Sequence, residues 1–243
     1  MPPFQRYTSS AEFYDAIYTA IKDYGQEAQE VAELIQSQTN VPVRSLLDVA
    51  TGTGLHLEHF ARIYEYVEGL DLSLYQIHLA TLRLPQTLLH QADMLDFNLG
   101  KTFDAVTCLF SAIGYMRTPA ELEQAFVMMG RHLNQNGVLL VEPWIFPDVW
   151  QDGTPHLQVV ENDDFKLVRM NRSSSDGNKA VLQMHYLVMR KDDAEPEHFV
   201  ERHVLTMHTK EEYLSALRAA GFRAKFVANE RRGYFVAVKQ SEF

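Results

Sequence analysis

Six short stretches of this chain hold residues whose types and spacing could do chemistry. The first, Leu46-Leu47-Asp48-Val49-Ala50-Thr51-Gly52-Thr53-Gly54, runs an apolar strand into a glycine turn. Glycines let backbone approach a ligand with no Cβ in the way. A helix starting near Leu55 would aim its unpaired N–H groups and positive dipole end at that ligand. A plain strand–turn–helix connection has the same signature, so the turn alone identifies nothing. Asp71, with Leu72 beside it, ends the next apolar run; a carboxylate there can accept both ribose hydroxyls of an adenosine. Ala92-Asp93-Met94 brings a second acid, which could accept from an adenine amino group while Met94 packs on the ring. The fourth stretch, Phe110-Ser111-Ala112-Ile113-Gly114-Tyr115, and the fifth, Glu142-Pro143-Trp144, end two further apolar runs. Tyr14 and Tyr18, four apart, share one face of a helix; such a stripe is either core packing or a lid over a site.

Together the glycine turn, Asp71 and Asp93 describe a pocket for adenosine without a phosphate requirement. Leu57 replaces the third glycine of the dinucleotide fingerprint, which counts against NAD or FAD. No Lys or Arg stands near the turn in sequence, and no Gly-x-x-x-x-Gly-Lys-[Ser/Thr] pattern exists. The formal charge of −10 argues against a nucleic-acid partner, which needs an excess of Lys and Arg. Cys108, the single cysteine, lies in an apolar run and reads as core, in a reducing compartment. The ten histidines show no His-Glu-x-x-His spacing, so no metal site is expected. The start, Met1-Pro2-Pro3-Phe4-Gln5, lacks an apolar signal core, and no apolar run could span a bilayer. The expectation is a cytoplasmic protein with no membrane partner.

The elements that must position these residues alternate strand and helix. Helices are expected over 11–24 and 26–39. Strand 44–49 leads through the glycine turn to helix 55–64. Strand 66–70 is followed by helix 74–84, capped by Ser73, and then by strands 87–90 and 103–110. Thr118 with Glu121 has capping-box spacing, and Asn136-Gly137 marks a turn before strand 138–141. The strands are short continuous apolar runs, the signature of a parallel sheet covered on both faces, with ligands at the C-terminal strand ends. Three longer strands, Leu157–Asn171, Ala180–Arg190 and Phe199–His208, then read as an antiparallel ribbon. A capping box at Thr209 and Glu212 opens a helix to Ala220, Gly221 ends it, and strands 223–229 and 234–238 close the chain. The expected fold class is α/β: a doubly wound, mostly parallel, seven-stranded Rossmann-like sheet with an inserted antiparallel β-ribbon. The reading is one domain over 1–243, with a helical lid (11–40), a ligand-binding core (44–144), the β insertion (156–208) and a closing unit (209–243).

Asp48–Gly54, Asp71, Ala92–Met94 and the run into Phe110–Tyr115 resemble a class I S-adenosylmethionine-dependent methyltransferase. Tyr14-Asp15-Ala16-Ile17-Tyr18 with Lys22-Asp23-Tyr24, the Phe110–Tyr115 segment, and Glu142-Pro143-Trp144-Ile145-Phe146-Pro147 resemble the sugar N,N-dimethyltransferases of the desosamine and mycaminose pathways. Ala50 departs from the cysteine that many members carry before the turn glycines. The resemblance implies S-adenosyl-L-methionine as cofactor and S-adenosyl-L-homocysteine as product. Ala50, Gly52 and Gly54 would hold the methionine part, Asp71 and Leu72 the ribose, and Asp93 and Met94 the adenine. Tyr14 and Tyr24 would close over the cofactor from the N-terminal helix, with Phe110 beside them. Tyr18, Trp144, Arg232 and Tyr234 would face the substrate.

Methyl transfer from a sulfonium is an in-line displacement, so a protein mainly aligns the nucleophile and excludes water. An amine must be neutral to attack. A nearby acceptor can steer its proton, and aromatic faces stabilise the passing charge. Glu142, Tyr14 and Tyr115 are the expected catalytic residues. The lead expectation is methylation of an amine of a small molecule, an amino-sugar or natural-product intermediate, by a chain that could pair as a homodimer through the β insertion. An O-methyltransferase, an NAD-dependent oxidoreductase and a non-catalytic adenosine-binding domain remain as alternatives.

Overall fold

The computed structural model describes residues 10–240, so the Met1–Gln5 start lies outside the described residues. Helices α1 (Ala11–Thr19) and α2 (Tyr24–Gln36) precede strand β1 (Ser45–Val49). Then come α3 (Leu55–Ile63), β2 (Tyr66–Asp71), α4 (Leu74–Arg83), β3 (Leu88–Gln91), β4 (Phe103–Cys108), α5 (Pro119–Arg131) and β5 (Leu133–Val141). Four consecutive strands follow: β6 (Pro155–Glu161), β7 (Phe165–Asp176), β8 (Lys179–Arg190) and β9 (Glu197–Thr206). The chain closes with α6 (Lys210–Ala219), β10 (Phe222–Val227) and β11 (Tyr234–Lys239).

Seven strands form one sheet in the order β10-β11-β5-β4-β1-β2-β3, with β11 antiparallel to both its neighbours. Alternation along β1 sends Leu46 and Leu47 to opposite faces, and both are fully buried. Leu47 packs with Phe103, Phe126, Tyr213 and Phe235 on one face; Leu46 packs with Val31, Ile35, Phe60 and Val138 on the other. The switch in strand order lies where β1 sits between β4 and β2, so the glycine turn after β1 opens at that crevice.

The insertion is a separate sheet, β6-β7-β8-β9, antiparallel throughout. It holds four strands rather than three. The Asn162 side chain accepts from the N–H groups of Asp164 and Phe165 and turns the chain where alternation alone reads as continuous. Its inner face takes Phe13 and Ile17 of α1, which pack with Val160, Leu167, Tyr186 and Val188. Burying two such side chains is worth about 1.5–3 kcal/mol each. The tyrosine helix is therefore seated on the insertion.

Several element ends and one cap differ from expectation. α1 stops at Thr19, and Asp23 caps α2 by accepting from Gln26 N–H, so Tyr24 opens the second helix and Ile21 is left exposed. Thr118 caps α5, but Glu121 turns back to Arg117 instead of completing a capping box. β5 begins at Leu133, with Asn136 (φ 60°) absorbing a register shift against β4. β4 ends at Cys108 because Phe110 (φ 52°) and Ser111 (φ 62°) are both left-handed. The Thr209–Glu212 capping box and the Gly221 stop (φ 85°) form as expected.

Candidate functional site

The site begins where β1 ends. Gly52 (φ 59°) and Gly54 (φ 81°) take conformations that L side chains rarely adopt, and a Cβ on Gly52 would meet no protein atom within 4 Å. Gly52 N–H donates to Asp71 Oδ2 at 2.9 Å, and Ser73 N–H donates to Asp71 Oδ1 at 2.8 Å. Asp71 thus ties the glycine turn to the end of β2. Burial raises its pKa, outweighing the backbone hydrogen bonds from Ser73, Gly52 and Leu72. Asp93, at the end of β3, is exposed and caps its own turn by accepting from Leu95 N–H at 2.9 Å; Met94 is packed against the core.

A cavity of about 30 Å³ lies over the turn, lined by Tyr14, Tyr24, Ala50, Gly52, His56 and Phe110, among others. Tyr14 and Tyr18 pack at 4.6 Å, and both present edges to Phe110. Tyr24 stands 4.6 Å from the His56 ring; its hydroxyl is buried with no hydrogen-bond partner among the described residues. Open space above Gly52, an unmatched phenol beside it and a carboxylate at the β2 end fit an adenosine-containing cofactor. This volume is too small for a nucleoside, so its walls, Tyr14 among them, must shift to admit one.

Sequence order hides a cation at this site. The turn after α1 carries Lys22 Nζ to 4.3 Å from the Phe110 ring centre and 2.6 Å from Glu27 Oε2. Glu27 is buried and also meets His56 Nε2 at 2.8 Å and Arg231 Nη1 at 3.0 Å. Burial pushes the Glu27 carboxyl up, yet the hydrogen bonds and charges of His56 and Lys22 hold it down at about 2. Burial lowers His56 to about 4, so its imidazole stays neutral and donates. Tyr234, expected on the substrate side, is instead buried here, its hydroxyl 3.3 Å from Glu27 Oε1. The Lys22-Asp23-Tyr24 run was the available signal for this cluster; a helix drawn to residue 24 conceals it.

Glu142, expected to steer an amine proton, holds backbone. Its Oε2 accepts from Phe110 N–H at 2.6 Å, and Arg232 Nη1 lies 3.6 Å from Oε1. The Ser111 hydroxyl donates to Pro143 O and accepts from Arg232 Nη1, both at 2.7 Å. These contacts fasten the two left-handed residues that present Phe110. Tyr115, on a 3-10 turn (Ala112–Tyr115), places its hydroxyl 2.8 Å from His203 Nδ1 on β9. Burial, with Tyr24, Tyr18, Tyr115 and Asp71 nearby, raises the Tyr14 hydroxyl well above its ordinary pKa.

A second cavity, about 510 Å³, lies between the inserted sheet and the segment after β5. Trp144, Trp150, Gln158, Arg169 and Arg232 are among its lining residues. Arg232 lies 5.0 Å from the Trp144 ring centre, and Arg169 donates to the Tyr18 hydroxyl at 3.0 Å. A Cβ on Gly114 would stand 2.8 Å from Trp144 Cβ, so the glycine lets the indole lie against the 3-10 turn. Trp144 Nε1 and Gln158 Oε1 are buried without partners among the described residues. Tyr18 links the two linings, packing on Phe110 of the first and accepting from Arg169 of the second.

Residues 46–137 match a methyltransferase-domain family. A dTDP-3-amino-3,4,6-trideoxy-alpha-D-glucopyranose N,N-dimethyltransferase of Streptomyces venezuelae is 40% identical over 235 residues, covering 94% of this chain and 97% of that protein. A dTDP-3-amino-3,6-dideoxy-alpha-D-glucopyranose N,N-dimethyltransferase of Streptomyces fradiae is 39% identical, covering 94% and 90%. The crystal structure of Streptomyces venezuelae DesVI has a TM-score of 0.90 at 40% identity over 94% of this chain and 98% of that one. An S-adenosylmethionine-bound amino pentose methyltransferase from Micromonospora echinaspora has a TM-score of 0.85 at 38% identity, covering 96% and 98%.

Proposed function

Because the chain belongs to the S-adenosylmethionine-dependent sugar N,N-dimethyltransferases, we propose that it places two methyl groups on the amino group of a thymidine-diphosphate-linked deoxyamino sugar. That it is a methyltransferase acting on an amine follows from the family, and the oxygen-acceptor, oxidoreductase and non-catalytic readings give way. The finer assignment rests on one observation. The 510 Å³ cavity carries two arginines, Arg169 and Arg232, and Arg169 is linked to the cofactor crevice through Tyr18, which packs on Phe110. Two guanidiniums suit a diphosphate, whose oxygens they can engage in pairs. The indoles of Trp144 and Trp150 offer flat surfaces for a base or sugar ring.

S-adenosylmethionine, when bound, supplies an electrophilic methyl on a sulfonium. Asp71 would accept the ribose hydroxyls with the oxygen lone pairs its backbone contacts leave over, and Gly52 and Gly54 would keep the turn open to the methionine portion. Lys22 would hold the methionine carboxylate. Tyr14 and Tyr18 would close the site and exclude water, with Phe110 held in place by Glu142. The Tyr14 phenol remains neutral and acts as a polar aromatic wall. Asp93, exposed at the β3 end, is left a role at the adenine rim.

Among the described helices, none is long and apolar enough to cross a membrane. The outer face of the insertion exposes Val159, Met170, Leu187, Met189 and Val200 across all four strands. Such a contiguous apolar face suits a second copy of the chain.

The test is methyl transfer to a panel of thymidine-diphosphate amino sugars and to the same sugars without the nucleotide, read by mass spectrometry. Dimethylated product from nucleotide-linked amines alone is expected. Equal rates on free amino sugars would remove the diphosphate assignment.

A further inference from the structure

We infer that His203, backed by Glu201, takes up the proton that the sugar ammonium releases through Tyr115 between the two methyl transfers. This rests on the proposed reading of the site as one that methylates the same nitrogen twice. A neutral amine that accepts one methyl becomes an ammonium. It cannot attack again until a proton leaves, and closure of the site keeps bulk water from taking it.

From Tyr115 the geometry supplies a path into the insertion. Tyr115 Oη and His203 Nδ1 are 2.8 Å apart. His203 Nε2 lies 3.5 Å from Glu201 Oε2, two residues back on the same face of β9. Glu201 is fixed in turn by Ser10, whose N–H and hydroxyl donate to its two oxygens at 3.0 and 2.6 Å. Burial raises the Glu201 carboxyl, but the nearby His203 ring and the hydrogen bonds from Ser10 outweigh it and lower its pKa. His203 and Glu201 are almost entirely buried. Among the described residues, Tyr115 from the 3-10 turn and Glu201 from its own strand face the imidazole. The directly paired residue on β8 is the apolar Leu182, and Tyr186 of β8 feels the charge of Glu201. The tyrosine–histidine–carboxylate chain thus runs from the 3-10 turn after β4 into the insertion.

The step balances as follows. The amine lone pair forms the N–C bond while the C–S bond breaks with its electrons to sulfur, and the nitrogen takes the positive charge. An ammonium proton then passes to the Tyr115 oxygen as the Tyr115 proton passes to His203 Nδ1. The amine is neutral again, the imidazolium carries the charge opposite the Glu201 carboxylate, and its proton later leaves to solvent. Only Tyr115 touches the substrate in this scheme; His203 and Glu201 are positioning residues that act through it.

Two measurements test this. In the ligand-free protein with labelled histidine, nitrogen NMR is expected to show His203 protonated at Nε2 and bare at Nδ1. The opposite tautomer overturns the path whatever the enzyme's substrate. In single-turnover and steady-state assays with the thymidine-diphosphate amino sugar, His203→Phe and Glu201→Gln are expected to accumulate monomethylated product. The second transfer should slow on the order of 10-fold or more near neutral pH and recover toward about pH 9, with KM little changed. His203→Gln, which keeps a hydrogen-bond acceptor for Tyr115, is expected to fall between. S-adenosylhomocysteine binding by calorimetry checks that each variant retains its fold. Variants that bind it normally yet keep the parent's product ratio and pH profile overturn the inference. A parent protein that methylates no amino sugar defeats the functional reading, and the relay with it.

Discussion

The Thr53 hydroxyl, in the glycine turn, donates a 2.5 Å hydrogen bond to the Asp15 carboxylate on α1. The other Asp15 oxygen pairs with Arg83 of α4, whose Nε donates to Thr53 O at 3.0 Å. The helix that carries Tyr14 and Tyr18 is therefore latched over the turn it covers. The cavity there is only about 30 Å³, so admitting a cofactor is expected to require this latch to open. Asp15→Ala should raise both rate constants for S-adenosylhomocysteine, with dissociation faster by on the order of 10-fold. Stopped-flow tyrosine fluorescence reads both. Asp15 is about a third exposed, so the fold should lose no more than about 1 kcal/mol. An unchanged dissociation rate would show that α1 is no gate.

Asp71 is the group proposed to accept the ribose hydroxyls. Asp71→Ala should weaken S-adenosylhomocysteine by about 1–3 kcal/mol, the scale of leaving buried polar partners unmatched. It also removes the acceptor for Gly52 N–H. Asp71→Asn, which can still accept there, should recover part of the loss in calorimetric titration.

How much of this was legible beforehand depends on the range of the interaction. The sheet was readable because its strands are short apolar runs bounded by local punctuation, such as the Ser73 and Thr118 caps and the Gly52–Gly54 turn. Asp71 was readable because position at a strand end implies position at the crevice. Lys22 was not, since its placement turns on α1 stopping at Thr19, which tertiary packing decides. The contact between Tyr115 and His203 spans 88 residues and two sheets, and nothing local announces it. Glu142 was found at the right strand end, but which of its neighbours it would bind was open until the Phe110 backbone was seen to turn left-handed. The fourth inserted strand was missed because an asparagine turn interrupts an otherwise unbroken alternation.

Lys22 gives a prediction that separates the two ends of the cofactor. If its ammonium holds the methionine carboxylate, Lys22→Met, which keeps the apolar stem, should weaken S-adenosylhomocysteine by about 1.5–3 kcal/mol. It should leave 5′-methylthioadenosine, which lacks the amino-acid end, unaffected. Equal losses for both ligands in calorimetry would mean that Lys22 serves only its pairing with Glu27.

The exposed apolar rows of the insertion predict self-association. Leu187 lies beside Val168 on β7, in the row that continues to Val159 on β6. Leu187→Lys should shift the protein from dimer to monomer in sedimentation or light scattering, with its thermal midpoint little changed. A parent protein that runs as a monomer at micromolar concentration would dispose of the proposed face.

Asp48 gives a pH prediction with a definite sign. It is buried beneath the glycine turn, and its Oδ1 accepts from the Thr107 hydroxyl at 2.7 Å. Burial raises its carboxyl from 3.8 to about 6, against the hydrogen bond from Thr107 and the nearby Thr51 hydroxyl. A carboxyl whose folded pKa lies above its unfolded one binds more protons folded than unfolded between those values. Its ionised form therefore costs stability above about pH 6, and the cost is relieved as the pH falls toward about 4, by at most about 3 kcal/mol. Asp48→Asn keeps an acceptor for Thr107 without the buried charge. The variant should be more stable than the parent near pH 8, and the advantage should fade by about pH 4. His56, lowered to about 4, and Glu27, lowered to about 2, both lose stability on acidification, but they do so in both proteins and cancel in the difference. Urea unfolding of the pair across this range measures the difference directly. A difference that is flat with pH would mean that Asp48 keeps an ordinary carboxyl in the folded chain.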